Sequence, residues 1–220
     1  MRTSAVGDVT ILLPDLDPED LDLTTDVDDE LDDVLVEGAS WRSAVLDDVR
    51  VWGSRIVGTD LGESTWKAGT LFGCEVVRTD LSGALLSGVT IERSAITGCR
   101  FTGTRFADVR LKEVLFEGCR FDYATFTRVA AAGAVGFVEC ILTDAAWSSC
   151  RLPGIAFRSC RLDGLEVKSC RLTGADLRGN TLGGLKAALD DLRGVTLSED
   201  QLVDLSRLTV EELGLTIRGQ

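Results

Sequence analysis

The chain contains no histidine, one methionine, one tyrosine and three prolines among 220 residues. Without histidine it lacks the commonest general base and metal ligand available near neutral pH. No apolar run is long enough to span a bilayer. The N-terminus does not read as a signal peptide: Val9-Thr10-Ile11-Leu12-Leu13 is too short, Arg2 is the only early base, and acids crowd in from Asp15. A cytoplasmic protein with no membrane partner is expected. The seven cysteines are odd in number, and none falls in a C-x-x-C pair. This argues against a zinc site and against a secreted disulfide framework. Serines and threonines have no histidine to activate them, and carboxylates such as Asp47 and Asp48 fall on turns. No catalytic residues, no metal site and no cofactor are expected, and the chain reads as a non-enzyme.

Charge is plentiful but uneven. The formal net charge is −13, of which residues 1–40 hold −12, with 13 acids against one base. Residues 41–183 sum to +2 and residues 184–220 to −3. The acidity therefore belongs to the ends, chiefly the N-terminal one.

The middle of the chain is periodic. From Val36 every fifth residue is apolar, through Trp41, Leu46, Val51 and onward to Phe126, nineteen positions without a break. The phase slips by one residue inside Thr127–Gly136 and resumes at Phe137, running to Leu182. Two residues before these centres stands nearly always a small or β-branched residue, and all seven cysteines occupy that slot: Cys74, Cys99, Cys119, Cys140, Cys150, Cys160 and Cys170. No charge enters either slot between Val36 and Leu182, and glycine recurs two after the centre. In extended backbone, residues two apart point the same way, so both slots face inward. A helical stripe would need apolar residues three and four apart, which a strict period of five does not supply. Glycine after the centre permits the turn to the next side. Four pentads close a square coil, and coils stack as parallel strands about 4.8 Å apart.

These residues resemble the pentapeptide-repeat family, with its A-(D/N)-L-x-x consensus, as in Ala175-Asp176-Leu177-Arg178-Gly179 and Thr79-Asp80-Leu81-Ser82-Gly83. The resemblance covers roughly residues 34–183 and implies an all-β fold, a right-handed quadrilateral parallel β-helix (a β-solenoid) with a short C-terminal helical cap. Stacking then places residues twenty apart in one column. Phe101 lies over Phe121, Phe106 over Phe126, and Phe116 over Phe137 and Phe157 once the slip is counted. The cysteines form two columns, in which they read as small hydrophobes filling a tight slot. In-register neighbours hold their Cβ atoms too far apart for an unstrained disulfide. The slip reads as a tolerated one-residue insertion.

Three divisions follow: an acidic N-terminal segment or cap over 1–33, the β-helix over 34–183, and a last irregular coil with a helical cap over 184–220. Ser198-Glu199-Asp200-Gln201 and Thr209-Val210-Glu211-Glu212 have the form of capping boxes, predicting helices near 198–207 and 209–214. Leu202, Leu205 and Leu208 give these helices an apolar side, which covers the last coil or meets a second copy as a homodimer contact.

Two surfaces are candidates for a protein partner. The acidic one comprises Asp15, Asp17, Glu19, Asp20, Asp22, Asp26, Asp28, Asp29, Glu30, Asp32, Asp33 and Glu37, with no base among them. It reads either as a solubilising cap or as an anionic surface for a DNA-binding protein. The basic one is the side centred on Val51, Leu71, Ile91, Leu111, Leu152 and Leu172. It carries Arg50, Arg93, Arg110, Lys112, Arg151 and Arg171 against Glu92 and Glu113. It reads as a chance imbalance, or as a stripe for an acidic partner or for the chain's own N-terminal segment.

A bacterial branch of the same family resembles the chain in length, in its unbroken β-helix and in a C-terminal helical dimerisation cap. Its members imitate duplex DNA, bind DNA gyrase and protect it from quinolones. The resemblance implies a homodimer that binds DNA gyrase rather than nucleic acid directly. Because the coil body is slightly positive, any anionic mimicry here must come from the N-terminal end. The other reading is a general protein-interaction scaffold with an unrelated partner.

Overall fold

A computed structural model describes residues 2–26 and 28–218. It is a right-handed, four-sided parallel β-solenoid of about 8 turns. Every inward slot is filled as the pentad spacing requires, and one continuous core runs from Leu31 to Leu182. Chain order takes each coil through four sides in turn. The side carrying Val36 and Val76 precedes the side carrying Trp41 and Leu61; those of Leu46 and Trp66, then Val51 and Leu71, follow.

The corners explain why the coil is square. The residue two after the centre adopts a left-handed φ throughout, whether it is glycine, as at Gly88 (φ 68°), or not, as at Ala68 (φ 53°) and Arg78 (φ 48°). The corner conformation is thus set by coil closure, and glycine is the residue that takes it without strain.

Inside, aromatic rings stack along the rod. Phe101 and Phe121 lie 4.8 Å apart and 2° from parallel, and Phe106 and Phe126 4.5 Å apart at 8°. Phe116, Phe137 and Phe157 continue a second stack at 4.8 and 5.0 Å. The smaller inward slot accepts polar residues only where a carbonyl is in reach. The Ser64 hydroxyl donates to the Leu61 carbonyl at 2.7 Å, and the Thr104 hydroxyl to the Leu81 carbonyl at 2.6 Å. The cysteines behave alike: all seven are buried free thiols, and Cys74 Sγ donates to the Val51 carbonyl at 3.2 Å. Burial pushes the Cys74 thiol up to about 12 and raises that of Cys119 as well.

The phase slip is confined to one corner. Leu111 still faces Ala131 twenty residues on, whereas Val114 faces Val135 twenty-one residues on, so the extra residue lies between Ala131 and Val135.

The ends differ from expectation in three ways. First, the ladder does not stop at residue 34: strand β3 (Asp22–Thr24) pairs with β5 (Val34–Glu37), and β4 (Glu30–Asp32) pairs with residues 50–52. Asp22 faces Val34, only twelve residues on, so this first coil is abbreviated and its spacing hides from a period of five. Second, β1 (Arg2–Val6) and β2 (Val9–Leu13) form an antiparallel hairpin lying along the outside of the rod. Third, one C-terminal helix forms, α1 (Leu202–Glu212), entered through a 3-10 turn at Glu199–Gln201. The capping box at Ser198 and Gln201 is present. The one at Thr209 is not, because Thr209 lies inside the helix and its hydroxyl donates back to the Leu205 carbonyl at 2.8 Å. Gln201 closes the core by donating to the Leu177 and Asn180 carbonyls at 2.7 and 2.9 Å. Among the described residues, no helix is long and apolar enough to cross a membrane.

Candidate interaction surfaces

The hairpin covers the side centred on Val76, Ile96, Phe116, Phe137 and Phe157. Val6, Ile11 and Leu13 pack against Ala95, Leu115, Val138 and Ala156, a second small core outside the coil. Polar contacts pin both ends. The Arg2 guanidinium meets Glu75 at 3.2 Å, and the Arg178 guanidinium bridges Asp8 at 3.1 Å and Asp176 at 2.7 Å. Between them, the Leu12 amide donates to Glu113 at 2.9 Å. The Arg178 hydrogen bond outweighs burial and holds the Asp176 carboxyl below the usual carboxylate range. Sequence reasoning missed this contact, yet a signal existed. Ala95, Leu115, Gly136 and Ala156 occupy an outward slot on four successive coils and are all apolar or bare.

The hairpin removes one side of the rod from solvent, and the chain then runs past Phe72 and Arg93 toward the N-terminal end. There it lays out the acidic residues. All twelve candidates, from Asp15 to Glu37, are exposed. Asp17 caps the 3-10 turn at Pro18–Asp20 by accepting from the Glu19 amide at 3.1 Å. Asp15 is engaged within the fold. Among the described residues, Glu30 alone of the others forms an ion pair, with Arg50 at 3.1 Å. The carboxylates of Asp20, Asp22, Asp26, Asp28, Asp29, Asp32, Asp33 and Glu37 are exposed toward the N-terminal end of the rod, and among the described residues none of them forms an ion pair.

The six candidate basic residues divide into two groups. Arg50 is held by Glu30 and by Asp48 at 3.6 Å, Lys112 by Glu92 at 2.8 Å, and Arg93 lies over the Phe72 ring at 5.5 Å from its centroid. Arg110, Arg151 and Arg171 share one ladder position, interrupted by Ala130, and are exposed without an ion pair among the described residues. Among the described residues, the acidic segment forms an ion pair with Arg50 alone of these six, through Glu30.

The three candidate dimer residues also separate. Leu208 is buried, and Leu205 joins it against Leu177, Leu182, Leu185, Leu192, Val195 and Leu197 at the end of the solenoid. Only Leu202 remains outside, together with Val203, Leu213, Leu215 and Ile217. One further surface feature lay outside the sequence reading: Trp52 is 49 % exposed and packs against Phe72 with ring centroids 5.7 Å apart.

The family model described as "Pentapeptide repeats (8 copies)" matches residues 70–103, 99–135 and 140–179. Among solved structures, HetL, a pentapeptide repeat protein involved in heterocyst differentiation regulation from the cyanobacterium Nostoc sp. strain PCC 7120, is 18% identical; the match covers 77% of this chain and 90% of HetL at a TM-score of 0.45. A trypsin-treated variant of QnrB1, a plasmid-mediated fluoroquinolone resistance protein, is 21% identical, covering 86% of this chain and 90% of QnrB1, also at 0.45. Likenesses this distant concern the fold and carry no statement about function. No curated protein matches the chain.

Proposed function

Given that this chain belongs to the pentapeptide-repeat family, we propose that it is a non-catalytic binding protein whose anionic N-terminal end occupies a cationic, DNA-holding surface on a protein partner. The specific partner we infer is DNA gyrase, which the protein would shield from poisons such as fluoroquinolones by standing in for DNA. The observation that carries the reading is the run of exposed carboxylates between Asp15 and Glu37, of which, Asp15 apart, only Glu30 forms an ion pair among the described residues. An array of fixed negative charge on a rigid rod end meets the same electrostatic demand as a run of phosphates, and it raises the association rate with a basic groove. The coil body cannot serve this purpose. Its outward acids are mostly paired, as in Asp108 with Arg128 at 2.7 Å and Asp80 with Arg100 at 3.3 Å.

A second copy belongs to the proposal. Leu202, Val203, Leu213, Leu215 and Ile217 are 52 to 78 % exposed at the C-terminal end, and joining two chains there buries this patch. A homodimer of this kind carries an acidic end at each extremity.

The test is binding to purified gyrase subunits across a salt series. The proposal requires affinity to fall steeply as salt rises, and to fall again when Asp28, Asp29, Asp32 and Asp33 are changed to Asn. A competing reading is favoured by the column of Arg110, Arg151 and Arg171, which is free to meet an acidic partner. Under it the protein is a scaffold, and reversing Arg110 and Arg151 to Glu, not neutralising the acids, abolishes binding.

A further inference from the structure

An exposed tryptophan offers a partner a large, rigid aromatic face with a polar N–H at its edge. Trp41, Trp66 and Trp147 are 6, 3 and 2 % exposed inside the coils, whereas Trp52 is 49 % exposed on the surface. It belongs to a short vertical series on one side of the rod. Trp52 is in register with Phe72 below it and with Asp32 above it. The lower end of this series already holds a cation, since the Arg93 guanidinium lies over the Phe72 ring at 5.5 Å. The upper end is an open cavity lined by Glu30, Leu31, Asp32, Arg50 and Trp52. Asp33 stands at the adjoining corner of the coil. Its amide donates to the Trp52 carbonyl at 3.1 Å, and its side chain sits where a Cβ on Gly53 would fall. Arg50, the one cation lining the cavity, is drawn off by Glu30 at 3.1 Å and Asp48 at 3.6 Å. What remains is an indole face sharing the cavity with Asp32, with Asp33 at the adjoining corner, and neither carboxylate forms an ion pair among the described residues.

We propose that Trp52, with Asp32 and Asp33, is the anchor point for an arginine side chain from a basic polypeptide segment of the partner. This deepens the acidic-end reading and rests on it: the carboxylates supply attraction at long range, and Trp52 supplies the short-range contact that fixes position. A guanidinium stacks on an indole through its flat face while its edge N–H groups reach carboxylates, so both features of the cavity are used at once. The Arg93–Phe72 contact is the same interaction made within the chain one step lower on the rod. Tryptophan and arginine are also the residue types that most often dominate a binding interface.

The test uses the full-length protein and two flexible peptides, one of alternating glycine and arginine and one of alternating glycine and glutamine. Because the other three tryptophans are buried, quenching of intrinsic fluorescence by the neutral quencher acrylamide reports chiefly on Trp52. The arginine peptide protects Trp52 from quenching, and the glutamine peptide does not. Because the Trp52 variants lack this reporter, their affinity is read by fluorescence anisotropy of a dye-labelled arginine peptide: Trp52→Ala weakens it roughly three- to tenfold, and Trp52→Phe retains most of the affinity. Binding by Trp52→Ala equal to wild type, or by Trp52→Leu equal to Trp52→Phe, overturns the proposal. If Asp32→Asn with Asp33→Asn weakens binding while Trp52→Ala does not, the anchor falls and the acidic-end reading stands. If neither changes binding, both fall.

Discussion

The hairpin on the outside of the rod can be pushed off without touching the coil core. Gly136 sits in an outward slot, one residue before the buried Phe137, and faces the hairpin directly. A Cβ built there would lie 2.8 Å from Ile11 Cδ1, 2.8 Å from Val6 Cγ2 and 3.2 Å from Val6 Cβ. Both partners are themselves fully buried, so neither can simply swing into solvent. Gly136→Leu therefore overpacks the outer core, at a typical cost of about 1–3 kcal/mol. That cost falls on the docked hairpin and not on the solenoid, whose side chains at Phe116, Phe137 and Phe157 point the other way. Amide hydrogen exchange resolves the two. Protection of residues 2–13 should drop by roughly 5- to 150-fold, the range that 1–3 kcal/mol corresponds to, while residues 95–127 keep theirs. Ala146→Leu, outward on a side the hairpin does not cover, is the control and should leave both unchanged. Undiminished protection of 2–13 in Gly136→Leu would refute the docking described here.

Three other expectations are open to direct measurement. At the corner shared by Ala68 (φ 53°) and Gly88 (φ 68°), Ala68→Gly should raise stability and Gly88→Ala lower it, each by about 0.5–1 kcal/mol; opposite or equal signs in denaturant titration would contradict the corner geometry. The seven cysteines should resist a thiol reagent in the native state, because all seven are buried out of its reach, and all seven should react on denaturation without prior reduction. Leu213→Asp with Ile217→Asp should convert a dimer into a monomer by light scattering without changing the β signal, and a wild-type protein already monomeric at tens of micromolar removes the dimer.

The solenoid was legible because the pentad writes the same physical demand into the chain thirty times over. Each inward slot excludes charge, and each corner wants a left-handed φ, so even the slip near Ala131–Val135 shows as a shift of phase. Features that depend on how coils stack were harder to see. Ala95, Leu115, Gly136 and Ala156 are far apart in sequence and become a stripe only after the chain is wound, as do Trp52 and Phe72. The hairpin strands are short, and Val9–Leu13 alone reads as a brief apolar run. The abbreviated first coil escaped because Asp22 and Val34 are twelve residues apart, not twenty. Leu205 and Leu208 were recognised as apolar helix positions. Sequence offered two uses for them, capping the last coil or meeting a second copy, and the geometry of α1 spends them on the cap. The charged residues could be counted from sequence but not paired. Arg50, Arg93 and Lys112 are occupied, whereas Arg110, Arg151 and Arg171 form no ion pair among the described residues, because pairing depends on which residue stands one coil away.

The central claim, that the acidic end is the contact surface, is tested most directly by inhibition of gyrase supercoiling. Three proteins are compared at matched concentration: wild type, the variant with Asp28, Asp29, Asp32 and Asp33 changed to Asn, and the variant with Arg110 and Arg151 changed to Glu. The acidic positions are exposed and the two arginines carry no ion pair among the described residues, so all three should melt alike. The account predicts that wild type inhibits, that the acid-neutralised protein inhibits far less, and that the arginine-reversed protein inhibits at least as well as wild type. Inhibition that survives loss of the four carboxylates but disappears with the two arginines would contradict it and make the basic column the working surface.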